Sequence, residues 1–135
     1  MSRYLFKEEP TNYSFDAFAK DGRTTWSGVR NPVAQKNVRG VKKGDLVFYY
    51  HTGDEKQIVG IATAATDAYP DPDDKAGKAH VVDVVPVKKL KQPVTLAAIK
   101  ADKRFKEFQL TYLPRLSVMP VTDEQWDAIV KMAGG

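Results

Sequence analysis

Cysteine is absent from this 135-residue chain, which excludes disulfide bonds, thiolate metal sites and a cysteine nucleophile. Only two histidines are present, His51 and His80, too few for a histidine-rich zinc site without help from carboxylates. Long apolar runs are also missing, and residues 1–7 contain none that would serve as a signal peptide or a membrane span. We therefore expect a cytoplasmic protein that does not enter a membrane and works without a metal ion or another cofactor.

Acidic residues are missing from residues 22–44, which hold six cations: Arg23, Arg30, Lys36, Arg39, Lys42 and Lys43. The net charge of +4 is mild, and a second basic stretch runs over residues 88–106. Between the two lies an acidic turn region with Asp67, Asp71, Asp73 and Asp74. This distribution suits a surface that binds a polyanion, and it suits a solvated lysine-rich face about equally well.

Composition and length are those of an ordinary globular protein, with 42% hydrophobic and 28% charged residues. A chain of this length predicts one domain, residues 1–135, that buries about two thirds of the surface exposed by its unfolded form. β-Prone segments predict strands over residues 3–8, 46–51, 57–64, 81–87 and 116–121. We expect the second and third strands to form a hairpin, and Pro86 to favour a sheet edge or a bulge.

Capping residues predict where the short helices begin. The first two predicted caps are Ser14, before a helix that ends near Gly22, and Asn31, before a helix over residues 32–39. Thr95 is predicted to cap a helix over residues 96–100. Thr122 has capping-box spacing and precedes a C-terminal helix that carries Trp126, Ile129 and Val130 on one face. A further short helix is predicted over residues 103–108. Together these elements predict an α+β fold, a mixed or antiparallel β-barrel of about five to six strands with short helices packed around it.

The segment Trp26-Ser27-Gly28-Val29-Arg30-Asn31 groups residue types that recognise a planar, polar ligand. The indole offers a stacking face, Arg30 a fork of donors, and Asn31 both a donor and an acceptor. A nucleobase requires these same interactions. The alternative is structural, since a tryptophan is more often part of a protein core.

Seven motifs extend over essentially the whole chain in one order: Tyr4-Leu5-Phe6-Lys7 with Glu9-Pro10 and Tyr13-Ser14, Trp26-x-Gly28-Val29-Arg30-Asn31, Lys43-Gly44-Asp45-Leu46-Val47-Phe48-Tyr49-Tyr50-His51, Val59-Gly60-Ile61-Ala62, Tyr69-Pro70-Asp71-Pro72, Val82-Asp83-Val84, and Arg115-Leu116-Ser117-Val118-x-Pro120-Val121. In these motifs and their order the chain resembles the EVE domain family. That PUA-like family includes many small bacterial proteins and is related to YTH and ASCH domains.

The resemblance implies a PUA-like β-barrel and a non-catalytic, monomeric or weakly dimeric module. Its expected partner is DNA or RNA that carries a modified base, such as a methylated or hydroxymethylated cytosine or adenine. The base and its nucleic acid are expected at Lys7, Trp26, Val29, Arg30, Asn31, His51, Arg115, Leu116 and Ser117. The sequence does not distinguish which modified base is bound, or whether the target is single- or double-stranded.

Three of these residues belong to the tryptophan segment, and each has a structural alternative. Trp26 occupies the position of a cage tryptophan in YTH-like readers, where it would stack on the base. Asn31 would bond a base edge, or simply cap the following helix. Arg30 would bind a phosphate, or form a buried ion pair with Asp45 or Asp83.

The other predicted residues come from three separate strands. Lys7 would hold a phosphate at the pocket mouth, or be an ordinary surface lysine. His51 would donate to a base or phosphate, or be a hydrogen-bonded structural histidine. Leu116 and Ser117 are expected to line the base pocket, with Arg115 beside them to meet a phosphate.

The chain departs from the family pattern at three places. Glu8 stands where the family usually has serine, the segment over residues 73–79 is short, and Ala79-His80 replaces a tryptophan. Three alternatives therefore remain for the second wall of the pocket: His80, a tyrosine, or no second wall.

Two other functions compete with the reader. An ASCH-like hydrolase of modified nucleosides would use Lys7 and Glu8 with Thr24 or Thr25, although neighbours on a strand point to opposite faces. A protein-interaction module would use the basic face instead.

Overall fold

Strands and short helices alternate along the chain, of which the structure, a computed structural model, describes residues 1–134. The strands are β1 (Arg3–Glu8), β2 (Thr24–Trp26), β3 (Leu46–His51), β4 (Gln57–Ala64), β5 (Tyr69–Pro70), β6 (His80–Thr95) and β7 (Val118–Pro120). The helices are α1 (Pro10–Tyr13), α2 (Phe15–Asp21), α3 (Pro32–Arg39), α4 (Leu96–Lys100), α5 (Gln109–Tyr112) and α6 (Asp123–Met132), with a 3₁₀ turn at Lys103–Phe105.

The strands form one mixed sheet in the order β2-β6-β4-β3-β1-β7, and β5 pairs with β6 at its side. Strands β1 and β3 are parallel, and the other pairs are antiparallel. The six-stranded path curls into a half barrel with the helices around it. The predicted α+β, barrel-like fold is therefore confirmed, and β3 and β4 form the predicted hairpin.

Strand β6 is sixteen residues long, about twice the length predicted from the sequence. Its pairing with β4 shifts register between Ile61 and Ala62, where Pro86 lies opposite Ala62, and again between Ile58 and Gly60. Proline cannot donate a ladder hydrogen bond, so it is tolerated where the ladder is interrupted. Pro86 thus marks a bulge, as expected, and does not end the strand.

The four predicted helix caps are confirmed. Ser14, Asn31, Thr95 and Thr122 each accept hydrogen bonds from backbone amides of the first helical turn. At Thr122 the capping box is complete, because the Gln125 side chain accepts a hydrogen bond from the Thr122 amide.

Besides β6, two more predicted elements are wrong in their bounds. The helix expected over residues 103–108 is a 3₁₀ turn, and α5 follows it as a separate helix. The last strand is limited to β7, because the amide of Leu116 bonds to the carbonyl of Leu113 in a turn (3.1 Å). Helix α1 was not expected, since Pro10 reads as a strand terminator and is also compatible with a first helical turn.

Aromatic rings fill the centre of the core. Tyr49 contacts Phe15, Phe18 and Trp26 with ring centroids 5.4 to 5.5 Å apart. The Phe15 ring lies directly over Gly60, where any Cβ atom would collide with it. On another part of the sheet Phe48 stacks on Trp126 at 3.7 Å. Within residues 1–134 no helix has the length and apolar character that crossing a membrane requires.

Candidate functional site

The end of β1 lies beside two hollows. Strand alternation sends the side chains of Lys7 and Glu8 to opposite faces. The Lys7 ammonium donates to the carbonyl of Pro114 (3.1 Å), and its amide donates to the carbonyl of Ser117 (2.8 Å). Glu8 lines a different hollow, together with Trp26. Two consecutive residues thus connect β1 to both hollows.

The first hollow, which we call the Trp26 cavity, has a volume of about 310 Å³. Its lining is mainly polar and consists of Glu8, Asn12, Tyr13, Thr24, Thr25, Trp26 and Ser27. The volume is at the lower end of the range for small-molecule pockets, which suits a ligand of the size of one heterocycle. No lysine or arginine is among these lining residues.

Trp26 belongs to the core and also borders the cavity. It is only 6% exposed, and its ring packs on Phe6 (5.3 Å) and edge-on against Tyr49 (5.4 Å). The structural alternative therefore describes most of the side chain, and only a small part of the residue reaches the cavity. The stacking role of Trp26 stays a prediction.

Glu8 presents an acceptor to the Trp26 cavity. Its Oε1 accepts hydrogen bonds from the Glu9 amide (2.9 Å) and from Asn12 Nδ2 (3.1 Å). Its Oε2 is accessible and accepts no hydrogen bond from residues 1–134, and within that range Glu8 forms no ion pair. One carboxylate oxygen is fixed by the protein, and the other is left for a ligand.

The second hollow, which we call the apolar groove, has a volume of about 320 Å³. It is lined by Asn31 and Val33 at the start of α3 and by Leu113, Pro114, Arg115 and Leu116 before β7. Val33 is 52% exposed and Leu113 37% exposed, which is unusual for side chains of this size. An accessible apolar surface beside basic residues can contact a base or a sugar.

Basic side chains lie beside the groove. Lys7 is half-buried over the Tyr50 ring (5.7 Å), and this burial lowers the pKa of its ammonium. Arg115 is exposed and forms no ion pair with any carboxylate of residues 1–134. The ammonium and guanidinium groups are therefore available to a phosphate.

Asn31 caps α3 through one atom and leaves the other end of its amide unused. Its Oδ1 accepts hydrogen bonds from the amides of Val33 (2.9 Å) and Ala34 (3.1 Å). Its Nδ2 donates to no atom of residues 1–134. The predicted cap is confirmed, and any bond to a ligand would use Nδ2 as a donor.

A family model, the EVE domain, matches residues 2–132 of the chain. The chain belongs to the EVE domain family.

Thymocyte nuclear protein 1 from Homo sapiens is 30% identical over 97% of this EVE domain chain, and the chicken (Gallus gallus) protein is 33% identical over 87%. The chain spans 73% of the human protein's length and 58% of the chicken protein's.

Solved structures agree with this assignment. A Rhodopseudomonas palustris protein determined by NMR has a TM-score of 0.94 at 44% identity and covers 99% of this chain and 94% of its own. Human THYN1 in complex with DNA containing 5-methylcytosine has a TM-score of 0.89 at 27% identity, with 100% and 99% covered. A Zygosaccharomyces rouxii YTH domain in complex with N6-methyladenosine RNA shares the fold, with a TM-score of 0.62 at 12% identity and with 98% and 86% covered.

Arg30 of the EVE domain does not form the ion pair that its structural alternative requires. It is exposed, whereas Asp45 accepts from the backbone amides of Ser2 (2.9 Å) and Lys42 (2.9 Å). Asp83 pairs with Arg23 at 2.8 Å. The expectation of a buried Arg30 pair is therefore wrong, because closer donors occupy both carboxylates.

A buried glutamine that the sequence did not single out holds Val29 in place. Gln35 is 6% exposed and donates to the carbonyls of Val29 (2.7 Å) and His80 (3.1 Å). Its Oε1 accepts from the His80 amide (2.9 Å). These bonds tie the loop before α3 to the start of β6. The only sequence signal for Gln35 is a polar residue at a helix position one turn from Val38.

His51 lies apart from both hollows, in a separate depression beside Ser14 and Phe15. It is 7% exposed, its Nε2 accepts from the Phe15 amide (3.0 Å), and its Nδ1 donates to Glu55 (2.9 Å). Both ring nitrogens are occupied, so the geometry supports the structural alternative for His51. The hydrogen bond from His51 also lowers the pKa of the Glu55 carboxyl.

Tyr13 lines the Trp26 cavity and His80 does not, which makes Tyr13 the candidate for the second wall. The Tyr13 hydroxyl donates to Asp21 (2.8 Å), and burial together with that carboxylate raises the pKa of the phenol. Asn12 and Thr24 also line the cavity, although no motif singled out Asn12. Within residues 1–134 no group of histidine, aspartate or glutamate side chains is placed to hold a metal ion.

Of the nine predicted residues, the apolar groove brings together Asn31, Arg115 and Leu116. Lys7 bonds to the groove wall, and the Ser117 backbone bonds to Lys7. Trp26 lies in the other hollow and His51 in neither. Their roles toward a ligand remain predictions.

Proposed function

We propose that this EVE domain is a non-catalytic reader that binds nucleic acid carrying a modified base and accepts that base in the Trp26 cavity. The observation that carries the proposal is the close structural likeness, over the whole chain, to human THYN1 in complex with DNA containing 5-methylcytosine. The YTH likeness extends the same fold to a protein in complex with N6-methyladenosine RNA. The target is therefore DNA or RNA with one altered base.

The distribution of charge supports different roles for the two hollows, one as the site of the base and the other as the site of the phosphate backbone. A base is neutral, and the Trp26 cavity offers it a small part of the Trp26 side chain, a tyrosine, the Glu8 carboxylate and other polar groups, without a cation. A phosphate is anionic, and Lys7 and Arg115 lie at the apolar groove. We place the flipped or unpaired base in the cavity and the adjoining backbone along the groove.

Typical interaction free energies set the affinity, base preference and salt dependence that we expect. Contact of a base with an aromatic residue contributes about 1–3 kcal/mol whatever the base. Recognition of one methyl group by shape is worth about 1–3 kcal/mol, so preference for the modified base reaches roughly 10- to 200-fold. Phosphate contacts supply much of the remaining affinity and weaken with salt. Flipping a base out of a duplex costs a few kcal/mol more, which favours single-stranded targets.

The test is a titration of the purified domain with oligonucleotides that differ at one base. The panel contains cytosine, 5-methylcytosine, 5-hydroxymethylcytosine, adenine and N6-methyladenine, each single- and double-stranded, at two salt concentrations. We expect at least one modified base to bind about tenfold more tightly than its unmodified counterpart at both salt concentrations. Equal affinity for every oligonucleotide would contradict the proposal and leave only nonspecific electrostatic binding.

One observation favours a hydrolase as second candidate: Glu8, Thr24 and Thr25 line the same cavity. The third member of the ASCH-like arrangement is displaced, because the Lys7 ammonium bonds to Pro114 on the other face of β1. Incubation with acylated or alkylated nucleosides separates the two functions. Turnover that disappears in Glu8→Gln would establish the hydrolase, and we expect none.

A further inference from the structure

The Trp26 cavity holds an acceptor that the fold leaves without a donor. Oε1 of Glu8 is held by the Glu9 amide and by Asn12 Nδ2, which fixes the orientation of the carboxylate. Its Oε2 is accessible and has no hydrogen-bond partner within residues 1–134. No cation lines the cavity to compensate this oxygen. A ligand that excludes water from the cavity must therefore bring its own N–H group, or leave a carboxylate oxygen unpaired.

We infer that Glu8 makes this cavity selective for bases with an amino group at position 4 of a pyrimidine or position 6 of a purine, and against bases with a carbonyl at that position. The inference rests on the proposed function, and it names the chemical class of base that the site reads. Cytosine and adenine carry such an amino group, and each keeps at least one N–H when its amino nitrogen or its ring is methylated once. Thymine, uracil and guanine present a carbonyl oxygen there, which an ionised carboxylate repels.

Three other polar side chains of the cavity, those of Asn12, Tyr13 and Thr25, already take part in hydrogen bonds. One N–H of Asn12 Nδ2 is used by Glu8, and the Asn12 side-chain carbonyl is another acceptor. The Thr25 hydroxyl donates to Asp83 outside the cavity (2.9 Å). The Tyr13 hydroxyl donates to Asp21. Thr24, Trp26 and Ser27 each have a side-chain donor, so the preference depends on Glu8, the one charged side chain among the described lining residues.

The sharpest comparison uses 5-methylcytosine and thymine. Both are pyrimidines with the same 5-methyl group, and they differ on one edge: 5-methylcytosine has a 4-amino donor beside the acceptor N3, and thymine has a 4-carbonyl beside the donor N3–H. Hydrogen bonds to a charged acceptor are stronger than neutral ones, and an unpaired buried polar group is costly. We expect single-stranded oligonucleotides with 5-methylcytosine to bind about 10- to 100-fold more tightly than the same sequence with thymine.

Glu8→Gln should reverse the sign of this discrimination. The glutamine Oε1 can keep both bonds to Glu9 and Asn12, so that Nε2, a donor, replaces the free Oε2. The variant should lose the preference for 5-methylcytosine and bind the thymine oligonucleotide at least as well. Glu8→Ser, which removes the acceptor, should bring the two affinities within about threefold of each other without a reversal.

The matched control is Glu9→Gln, which makes the same change of charge at the next residue. The Glu9 carboxylate contacts the Thr52 hydroxyl (3.3 Å) and does not line the cavity. This variant should retain the wild-type ratio of affinities. Thermal unfolding of all three variants checks that each remains folded at the temperature of the titration.

Three results would overturn the inference. A wild-type protein that prefers 5-methylcytosine to cytosine but binds thymine equally well refutes the role of Glu8 and leaves the proposed function standing. Equal binding of all three bases refutes the inference, and the proposed function falls with it only if 5-hydroxymethylcytosine and N6-methyladenine are also bound no more tightly than their unmodified counterparts. A preference for 5-methylcytosine over thymine that Glu8→Gln leaves unchanged shows that another group reads the amino nitrogen.

Discussion

Replacement of Trp26 by alanine should cost stability and base preference together, and the two losses can be measured separately. The side chain is 6% exposed and packs on Phe6 and Tyr49, so the substitution opens a cavity in the aromatic core. Trp→Ala changes in cores cost about 3–5 kcal/mol. With a urea m value of about 1.5 kcal/mol/M, the unfolding midpoint should fall by about 2–3 M while the transition remains cooperative.

Trp126 provides a matched control. It is 5% exposed and stacks on Phe48 at 3.7 Å, yet it lines neither the Trp26 cavity nor the apolar groove. Trp126→Ala should therefore lose a similar amount of stability, because a similar ring is removed from the same kind of surroundings. Only Trp26→Ala should also lose the preference for the modified base.

The assay pairs urea unfolding, followed by circular dichroism, with titrations at a low temperature where both variants remain folded. A stability loss below about 1 kcal/mol for Trp26→Ala would refute the core placement of the ring. An equal change of base preference in both variants would refute the assignment of Trp26 to the site, since general softening of the fold would then explain the effect. Trp26→Phe, which keeps a ring against Tyr49, should fall between the wild type and the alanine variant in both measurements.

Two further predictions concern charge. Lys7→Met should make the fall of log affinity with log salt less steep, by about 0.7–0.9, the value for one phosphate contact. Lys100→Met at the end of α4 should leave the slope unchanged. Fluorescence anisotropy between about 50 and 200 mM salt measures both slopes. Asp83 accepts a hydrogen bond from the Tyr69 hydroxyl (2.6 Å), which is the first cause of the lowered pKa of its carboxyl. The resulting stabilisation is complete above the unfolded-state pKa of about 3.9 and is lost as the pH falls through the lower folded-state pKa. Asp83→Asn should therefore remove part of the acid sensitivity below about pH 4 in urea unfolding, and an unchanged pH profile would contradict this.

Local signals in the sequence predicted most of the elements. The caps Ser14, Asn31, Thr95 and Thr122 are each followed by the expected helix, because a cap acts on amides two or three residues away. The bounds of β6 could not be predicted in this way. Whether Pro86 ends a strand or lies at a bulge depends on the register of β4 opposite it, which residues 81–87 do not contain.

The candidate site was predictable in part. The family resemblance led to Trp26 and to the residues around Lys7 and Arg115, and the structure brings several of them to the apolar groove. It also led to His51 as a donor to a ligand, but in the structure the two ring nitrogens of His51 bond to the Phe15 amide and to Glu55. A linear pattern does not reveal these partners. The hydrogen-bond partners of a side chain are set by elements distant in sequence.

The sequence by itself determined the composition of the chain, the positions of the helix caps, the β-prone segments and the motifs of the EVE domain family, since each is a property of neighbouring residues. Only the tertiary structure decided that Glu8 and Trp26 border one cavity, and that Lys7, one residue earlier, turns to the other side of β1. The physical reason is that the cavity is formed by β1, α1 and β2 meeting in space, and that Glu8 keeps one unbonded oxygen only because Glu9 and Asn12 orient the other.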